Sequence, residues 1–202
     1  MTEPVSVADV PGPRAASWAK IASSLAGYVA TDGFARGDLA ALRRINPDGP
    51  DAAVFWRLMS RHNLLGSPDV ERRWALILHG IALMTRTAGA EPSSRTAHDR
   101  NVPVGKALFQ GGEPERIRPF YSESRLNRLL TARGSVRRAL LARTFRMLGS
   151  AGQRIDWREM ACLILNDGNN AAGFEDARRR IARAYYSAEH QAQRRQASDS
   201  SS

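Results

Sequence analysis

The chain of 202 residues is 43% hydrophobic, which is enough to build the core of one large or two small domains. Its net charge of +10 comes from 30 basic and 20 acidic residues and favours nucleic acid or another anionic partner. Cys162 is the single cysteine, which excludes an internal disulfide and a cysteine-ligated metal site, and an intracellular, cytoplasmic protein is expected.

The first half of the chain is predicted to contain four helices. Residues 1–12 show no periodicity and are expected to form a flexible N-terminal arm. The first helix is predicted to begin at Pro13, Asp38 is expected to cap the short second helix, and a fourth helix is predicted after Pro68. His79 lies among the apolar residues of this fourth helix, and we interpret it as a core histidine with a satisfied hydrogen bond.

Residues 89–102 are polar and aperiodic, which predicts a loop or linker. This segment divides a predicted N-terminal helical lobe, residues 13–88, from a basic C-terminal helical lobe, residues 103–187. No sustained period-2 pattern bounded by turn residues occurs in the sequence. We therefore predict an all-α fold, a two-lobed bundle of about eight to nine helices, with a disordered tail over residues 188–202.

Positive charge is concentrated in the second half, where 18 basic residues face 10 acidic ones. A preference for arginine over lysine can follow from the base composition of the genome. Base composition does not, however, explain why basic residues outnumber acidic ones. Residues 118–148 hold eight arginines and one acid, Glu123. On a helical wheel the leucines of the first helix in this range share one stripe, with Arg125 and Arg128 on its flank. Such a face repels itself unless an anion binds there.

Asp156 and Glu159 are spaced as a capping box and predict the start of the next helix. The final helix carries Phe174, Ile181 and Tyr185 on one side and arginines around the rest. The tryptophans all lie at or near apolar stripes, so we predict core packing rather than base stacking for each of them: Trp18, Trp56, Trp74 and Trp157.

The usual catalytic motifs are missing from the sequence. The stretch GKAL at residues 105–108 lacks the first glycine and the metal-binding hydroxyl of a phosphate-binding loop. The four histidines make no pair at helical spacing, and no carboxylate cluster suits a two-metal nuclease. We therefore expect no enzyme activity, metal or cofactor, although a site built from distant residues stays open. The longest apolar run, residues 74–84, is too short to span a bilayer, and no signal peptide is recognisable.

Several stretches, taken in order, resemble the CasB family, the small subunit of the type I-E CRISPR surveillance complex known as Cascade. Each stretch is weakly specific alone, but the ordered set over residues 37–186 is fairly specific. The stretches are GDLAALRR (37–44), WALILHGIALM (74–84), VPVGKAL (102–108), SESRLNRLLTARG (122–134), IDW (155–157) and RRRIARAYY (178–186).

The resemblance implies an all-helical, two-lobed, non-catalytic protein, present as a pair of copies in a ribonucleoprotein. Its implied partners are guide RNA and target DNA, the backbone and large subunits of Cascade, and a second copy of itself. Family members hold the nucleic acids of the R-loop, including the displaced strand. This agrees with the charge pattern, because guide pairing reads the sequence and the protein needs only a basic groove for backbones.

We predict that the nucleic-acid-binding surface is formed by basic side chains of both halves. For Arg43 and Arg44, a role in neutralising the C-terminal end of their helix is at least as good an interpretation. Arg137 projects onto the apolar side of its helix and could simply extend to solvent from the first turn. The predicted residues are Arg43, Arg44, Lys106, Arg125, Arg128, Arg137, Arg138 and Arg143.

A helical transcription regulator that reads duplex DNA is the alternative hypothesis. The turn GSAGQRI between the last two predicted helices is longer than the three or four residues of a helix-turn-helix, which counts against it. A purely protein-binding adaptor is the third hypothesis, and the charge of the second half disfavours it.

Overall fold

The computed structural model describes residues 15–86 and 92–199, and helices are the only regular elements in these two ranges. The predicted all-α class is therefore confirmed. The predicted arm, residues 1–12, and the predicted helix start at Pro13 lie outside the described residues. The helices are α1 (Ala15–Val29), α2 (Arg36–Arg44), α3 (Ala53–Arg61), α4 (Pro68–Met84), α5 (Pro92–Arg95), α6 (Val104–Gln110), α7 (Glu123–Thr131), α8 (Gly134–Ser150), α9 (Trp157–Asn166) and α10 (Ala171–Asp199).

Helix α4 is the central element of the core. Every residue from 74 to 82 is buried, as expected for a helix that is apolar on all sides, and α1, α2, α8 and α9 all pack against it. A Cβ at Gly80 would lie 2.5 Å from the Phe145 ring and 2.6 Å from the Trp157 ring. Gly80 therefore allows the aromatic side chains of α8 and α9 to contact the α4 backbone directly.

Helices α4 and α8 run in the same direction. Gly80 lies beside Phe145, and one turn further on a Cβ at Gly149 would lie 2.6 Å from the carbonyl oxygen of Leu83. The two helices thus keep the same register along their contact. As a consequence, their N-terminal ends lie side by side, and this positions the cavity described below.

The two halves of the chain share one continuous hydrophobic cluster, because α1 packs on α9 and α4 packs on α8. The division into two lobes stays a prediction. The described part of the predicted linker, residues 92–102, is tied to the second half by backbone hydrogen bonds. The N–H of Ile155 donates to Ala97, that of Asp99 donates to Ile155, and that of Asp156 donates to Val102.

Helix α10 is longer than predicted. The expected disordered tail is wrong for residues 188–199, which continue the helix. Ala188 and Ala192 are buried and extend the stripe of Ile181 and Tyr185 at helical spacing. The segment is also rich in alanine, glutamine and arginine, which favour helix. A Cβ at Gly105 of α6 would lie 2.0 Å from the Ile181 carbonyl oxygen, so α6 crosses α10 in backbone contact.

The predicted cap at Asp156 is confirmed, because its Oδ1 accepts a hydrogen bond of 2.9 Å from the N–H of Arg158. Glu159 does not complete a capping box. Its Oε2 instead accepts a hydrogen bond of 2.7 Å from the N–H of Val104, the first residue of α6. The predicted cap at Asp38 is wrong, since α2 begins at Arg36 and the Asp38 carboxylate pairs with Arg57.

Candidate nucleic-acid interface

Helix α7 buries its leucines and exposes its arginines, as predicted. Leu126, Leu129 and Leu130 are buried, whereas Arg125 and Arg128 are exposed. Neither arginine forms an ion pair with another described residue. The acid of this helix, Glu123, accepts a hydrogen bond of 2.9 Å from the hydroxyl of Tyr186. The exposed face of α7 is therefore cationic and free to contact an anion.

Three further predicted cations are not paired with acids in the described part of the chain. Arg44 on α2 and Arg143 on α8 are exposed, and Lys106 on α6 is half-buried. They come from three different helices. Each is available for a phosphate contact, but the structure does not join them to the α7 pair through any described hydrogen bond.

Arg43 holds the C-terminal end of α4. Its Nε donates to the carbonyl oxygen of Ala82 at 2.9 Å, and its Nη2 donates to that of Thr85 at 2.7 Å. Burial lowers the pKa of Arg43. Carbonyls at a helix end need such donors, and a cation is favoured there by the helix dipole. Arg43 therefore has a structural role, but at the end of α4 and not, as predicted, at the end of its own helix α2.

Arg137 is buried and does not extend to solvent, since only 3% of the residue is exposed. Its Nη1 lies 2.5 Å from Oδ1 of Asp167, and its guanidinium carbon lies 4.2 Å from the ring centroid of Phe174. Arg137 therefore joins α8 to the end of α9 and the first turn of α10. It is not part of an exposed surface.

Arg138 binds the loop that follows α2. Its Nε lies 2.6 Å and its Nη2 lies 2.5 Å from Oδ1 of Asp48. This ion pair is partly exposed to solvent. An exposed pair of this kind contributes little to stability, so Arg138 can exchange its carboxylate partner for a phosphate at small cost.

Arg137 and Arg138 line a cavity of about 670 Å³ at the N-terminal ends of α4, α8 and α10. Three other arginines line it, Arg72, Arg73 and Arg133, and none of them was among the residues predicted from the sequence. Their positions in the sequence could have identified them, because all three lie at the start of a helix. Arg72 and Arg73 are adjacent near the start of α4, and Arg133 immediately precedes α8. Comparing the net charges of the two halves of the chain hid Arg72 and Arg73, because α4 lies in the first half, whose net charge is close to zero.

The tryptophans and His79 follow the prediction with one exception. Trp74 and Trp157 are fully buried, and Trp18 packs against the core. Trp56 is 38% exposed, so the prediction of core packing is wrong for it. His79 is buried, and its Nδ1–H donates to the carbonyl oxygen of Leu42 at 3.1 Å, which confirms a satisfied core histidine. Burial lowers its pKa.

The described residues contain neither a cluster of metal-binding side chains nor a membrane-spanning helix. In residues 15–86 and 92–199, no group of three or more histidine, cysteine or acidic side chains is placed to hold a metal ion. None of the helices in the same ranges is both long and apolar enough to cross a membrane.

Comparison with protein families gives a match that covers most of the chain. The family model described as CRISPR-associated protein Cse2 matches residues 38–186, which is more than half of the chain. The chain belongs to the Cse2 family. Cse2 is the small subunit of the type I-E Cascade, also called CasB, so the resemblance found in the sequence is confirmed. Comparisons with curated proteins and with solved structures gave no match.

Membership of the Cse2 family makes the chain a small, structural subunit of Cascade, an assembly with other subunits. The matched range runs from α2 into α10 and contains the eight predicted cations and the whole lining of the cavity. The last turns of α10, residues 187–199, lie outside the match.

Proposed function

We propose that this Cse2-family subunit binds nucleic-acid backbones within Cascade without reading their sequence and performs no catalysis. It stabilises the R-loop by holding the guide–target duplex and the displaced DNA strand. Its partners are guide RNA, target DNA, the backbone and large subunits, and a second copy of itself. Base pairing with the guide supplies the sequence specificity, so the protein needs only a surface that recognises phosphates.

The observation that carries this proposal is the exposed face of α7. Two arginines lie there without an acidic partner among the described residues, above a row of buried leucines. Because arginine is always charged and presents a planar fork of donors, such a face suits phosphate oxygens. Arg44 on α2 and Arg143 on α8 are further exposed cations without an acidic partner among the described residues.

The test is a salt titration of the isolated protein with a single-stranded oligonucleotide of mixed sequence. If about four to six phosphates are neutralised, the logarithm of the affinity should fall against the logarithm of salt concentration with a slope of roughly −3 to −4. Affinity should not depend on the sequence of the oligonucleotide. An affinity that is independent of salt, or that is confined to one operator-like duplex, would contradict the proposal.

The structure gives no support to a transcription regulator. Helix α8 ends at Ser150 and α9 begins at Trp157, so their connection is too long for a helix-turn-helix. In addition, α9 buries seven of its ten residues, including Trp157 and Met160. A recognition helix has to present an exposed face to the major groove, and α9 does not offer one.

A further inference from the structure

Three helices begin around the cavity. Its lining includes Asp69 in the first turn of α4, Gly134 at the start of α8 and Ala171 at the start of α10. The first N–H groups of a helix have no partner within the helix, and the helix dipole adds partial positive charge there. Neither Ser67 before α4 nor Arg133 before α8 caps its helix with its side chain. Asn170 does cap α10, because its Oδ1 accepts a hydrogen bond of 3.0 Å from the N–H of Gly173, and α4 begins with Pro68, which has no N–H. The uncapped start of α8 is therefore the helix end best suited to an anion.

The cations around the cavity are only partly neutralised. Arg73 and Arg133 form no ion pair with any residue in the described part of the chain, and Arg133 is exposed. The cavity lining as a whole contains five arginines and two aspartates. The other three arginines are paired: Arg72 with Asp69, Arg137 with Asp167, and Arg138 with Asp48.

The buried guanidinium of Arg137 is incompletely satisfied. Its Nε and Nη1 are buried and have no hydrogen-bond partner among the described residues. Nη1 lies close to Asp167, but the pair does not have the geometry of a hydrogen bond. Leaving such a donor unpaired is costly. Because both atoms are buried, a ligand in the cavity does not reach them, and Arg137 contributes its charge and its contact with Phe174 rather than a hydrogen bond.

The floor of the cavity is apolar. Leu76, Leu141, Ile164 and Phe174 line it, and the guanidinium of Arg137 lies over the ring of Phe174. An inorganic anion would leave this floor uncovered. A ligand with a phosphate and a flat, largely apolar ring would satisfy both the cationic rim and the floor, and aromatic side chains are the usual platforms for unpaired bases.

We propose that this cavity binds one unpaired nucleotide of a nucleic-acid strand, with its phosphate at Arg73 and Arg133 and its base against Phe174 and the leucines. This inference rests on the proposed function, because it places one nucleotide of the strand that the arginine surface holds. A free mononucleotide has the same chemistry and enters the cavity more weakly, since no neighbouring phosphates are bound at the same time.

The experiment uses the full-length protein and single-stranded DNA in which one thymine is replaced by photoreactive 5-iodouracil. Irradiation should cross-link the strand to the peptide that contains Phe174, identified by mass spectrometry. The variant Phe174→Leu keeps an apolar side chain but removes the ring. It should lose this cross-link and bind single strands more weakly, with duplex binding unchanged. Circular dichroism checks that each variant is folded.

A pair of charge-matched double variants separates the cavity from general electrostatics. Arg73→Ala with Arg133→Ala should weaken single-strand binding by about tenfold or more, the scale of one lost charge-assisted hydrogen bond. The control is Arg36→Ala with Arg183→Ala. It removes the same charge from two exposed positions outside the cavity lining, and it should weaken binding less.

The outcomes distinguish the cavity from the proposed function. If the wild-type protein does not bind single strands at all, both fail. If it binds them in a salt-dependent manner, but cross-links fall elsewhere and the two double variants behave alike, only the cavity inference is overturned. Excess thymidine monophosphate should suppress the Phe174 cross-link. If the cavity binds that mononucleotide yet never cross-links to the strand, it is a site for free nucleotides and the inference is wrong.

Discussion

The face of α7 and the cavity at the start of α4, α8 and α10 use arginine in two different ways. On α7, Arg125 and Arg128 are exposed and have no acidic partner among the described residues. In the cavity, Arg137 is buried against Asp167 and Arg138 is paired with Asp48. The α7 arginines add charge to a surface, whereas Arg137 and Arg138 also connect separate elements of the fold.

This difference shows that an arginine count does not measure the cations that are available for binding. A buried and paired arginine cannot be removed without exposing or orphaning its partner, so its loss appears first as a loss of stability. An exposed and unpaired arginine contributes little to folding. Substitution of a buried, paired arginine in the cavity should therefore reduce stability more than binding. Substitution of the exposed arginines of α7 should reduce binding more than stability.

The largest effect is expected for Arg137→Ala. The substitution leaves the Asp167 carboxylate without its cation and removes the contact over Phe174. Loss of one partner from a buried pair costs 3–5 kcal/mol as a general range, and we expect about 3 kcal/mol because Asp167 keeps some contact with solvent. Denaturant unfolding measures the change. Arg143→Ala on the same helix is the control and should cost less than about 0.5 kcal/mol. Equal costs would show that Arg137 has no structural role.

A smaller effect is expected for Asp156→Ala, which removes the cap of α9. The loss should be about 1 kcal/mol in the free energy of unfolding. Because Asp156 belongs to neither arginine region, single-strand binding should not change. Asp156→Asn keeps a capping oxygen and serves as the control. An unchanged stability in the alanine variant would mean that the hydrogen bond from Arg158 to Asp156 makes no net contribution to the free energy of unfolding.

Acid should destabilise the protein through His79. Burial lowers its pKa below the ordinary value of 6.5, and the nearby charge of Arg146 acts in the same direction, while the hydrogen bond to Leu42 opposes them. The fold therefore favours the neutral ring. This contribution to stability is fully present above pH 6.5 and is lost as the pH falls from there through the lowered pKa of the folded protein, with a slope below about 1.4 kcal/mol per pH unit.

Melting temperatures measured between pH 7.5 and pH 5.5 test this expectation. The variant His79→Gln cannot titrate and should show a shallower loss of stability over that range than the wild-type protein. His190→Gln, at an exposed position, should keep the wild-type slope. The same slope in all three proteins would remove His79 as the origin of the acid sensitivity.

Local patterns were enough to predict much of the fold. The spacing of leucines identified the buried side of α7, and the Asp156 position identified the start of α9, because both depend on residues within a few positions in the chain. The end of α10 was missed because the exposed charges of that segment outweighed the weak signal of Ala188 and Ala192. The polar composition of this segment predicted disorder. Its helix propensity and two small buried residues are nevertheless enough to continue the helix.

The candidate site was predicted less well, because it depends on long-range packing. The acceptors of Arg43 lie 39 and 42 residues away in the chain, and no local pattern identifies them. The cavity arises because α4 and α8 run in the same direction, so that Arg73 and Arg133 meet at one end. Only for Arg137 did the sequence indicate a role different from that of the neighbouring arginines, because it lies on the apolar side of α8.

The smallest effect on stability is expected for Arg125→Ala with Arg128→Ala. Both side chains are exposed and lie off the leucine stripe, so each change should stay within about 0.5 kcal/mol. R-loop stability should nevertheless fall. The exchange of a DNA duplex for a guide–target duplex is nearly balanced in free energy. A loss of about 1 kcal/mol per phosphate contact is then enough to shift it towards the closed duplex.

The measurement is target binding by reconstituted Cascade with an intact duplex and with a substrate whose two strands are already unpaired. The double variant should be impaired mainly on the intact duplex, because there the cost of strand separation has to be offset by contacts to the captured strands. On the unpaired substrate that cost is absent, and the same lost contacts matter less. Equal impairment on both substrates would assign these arginines to guide RNA or to a protein subunit. No impairment on either would remove the α7 face from the binding surface and leave the cavity as the stronger candidate.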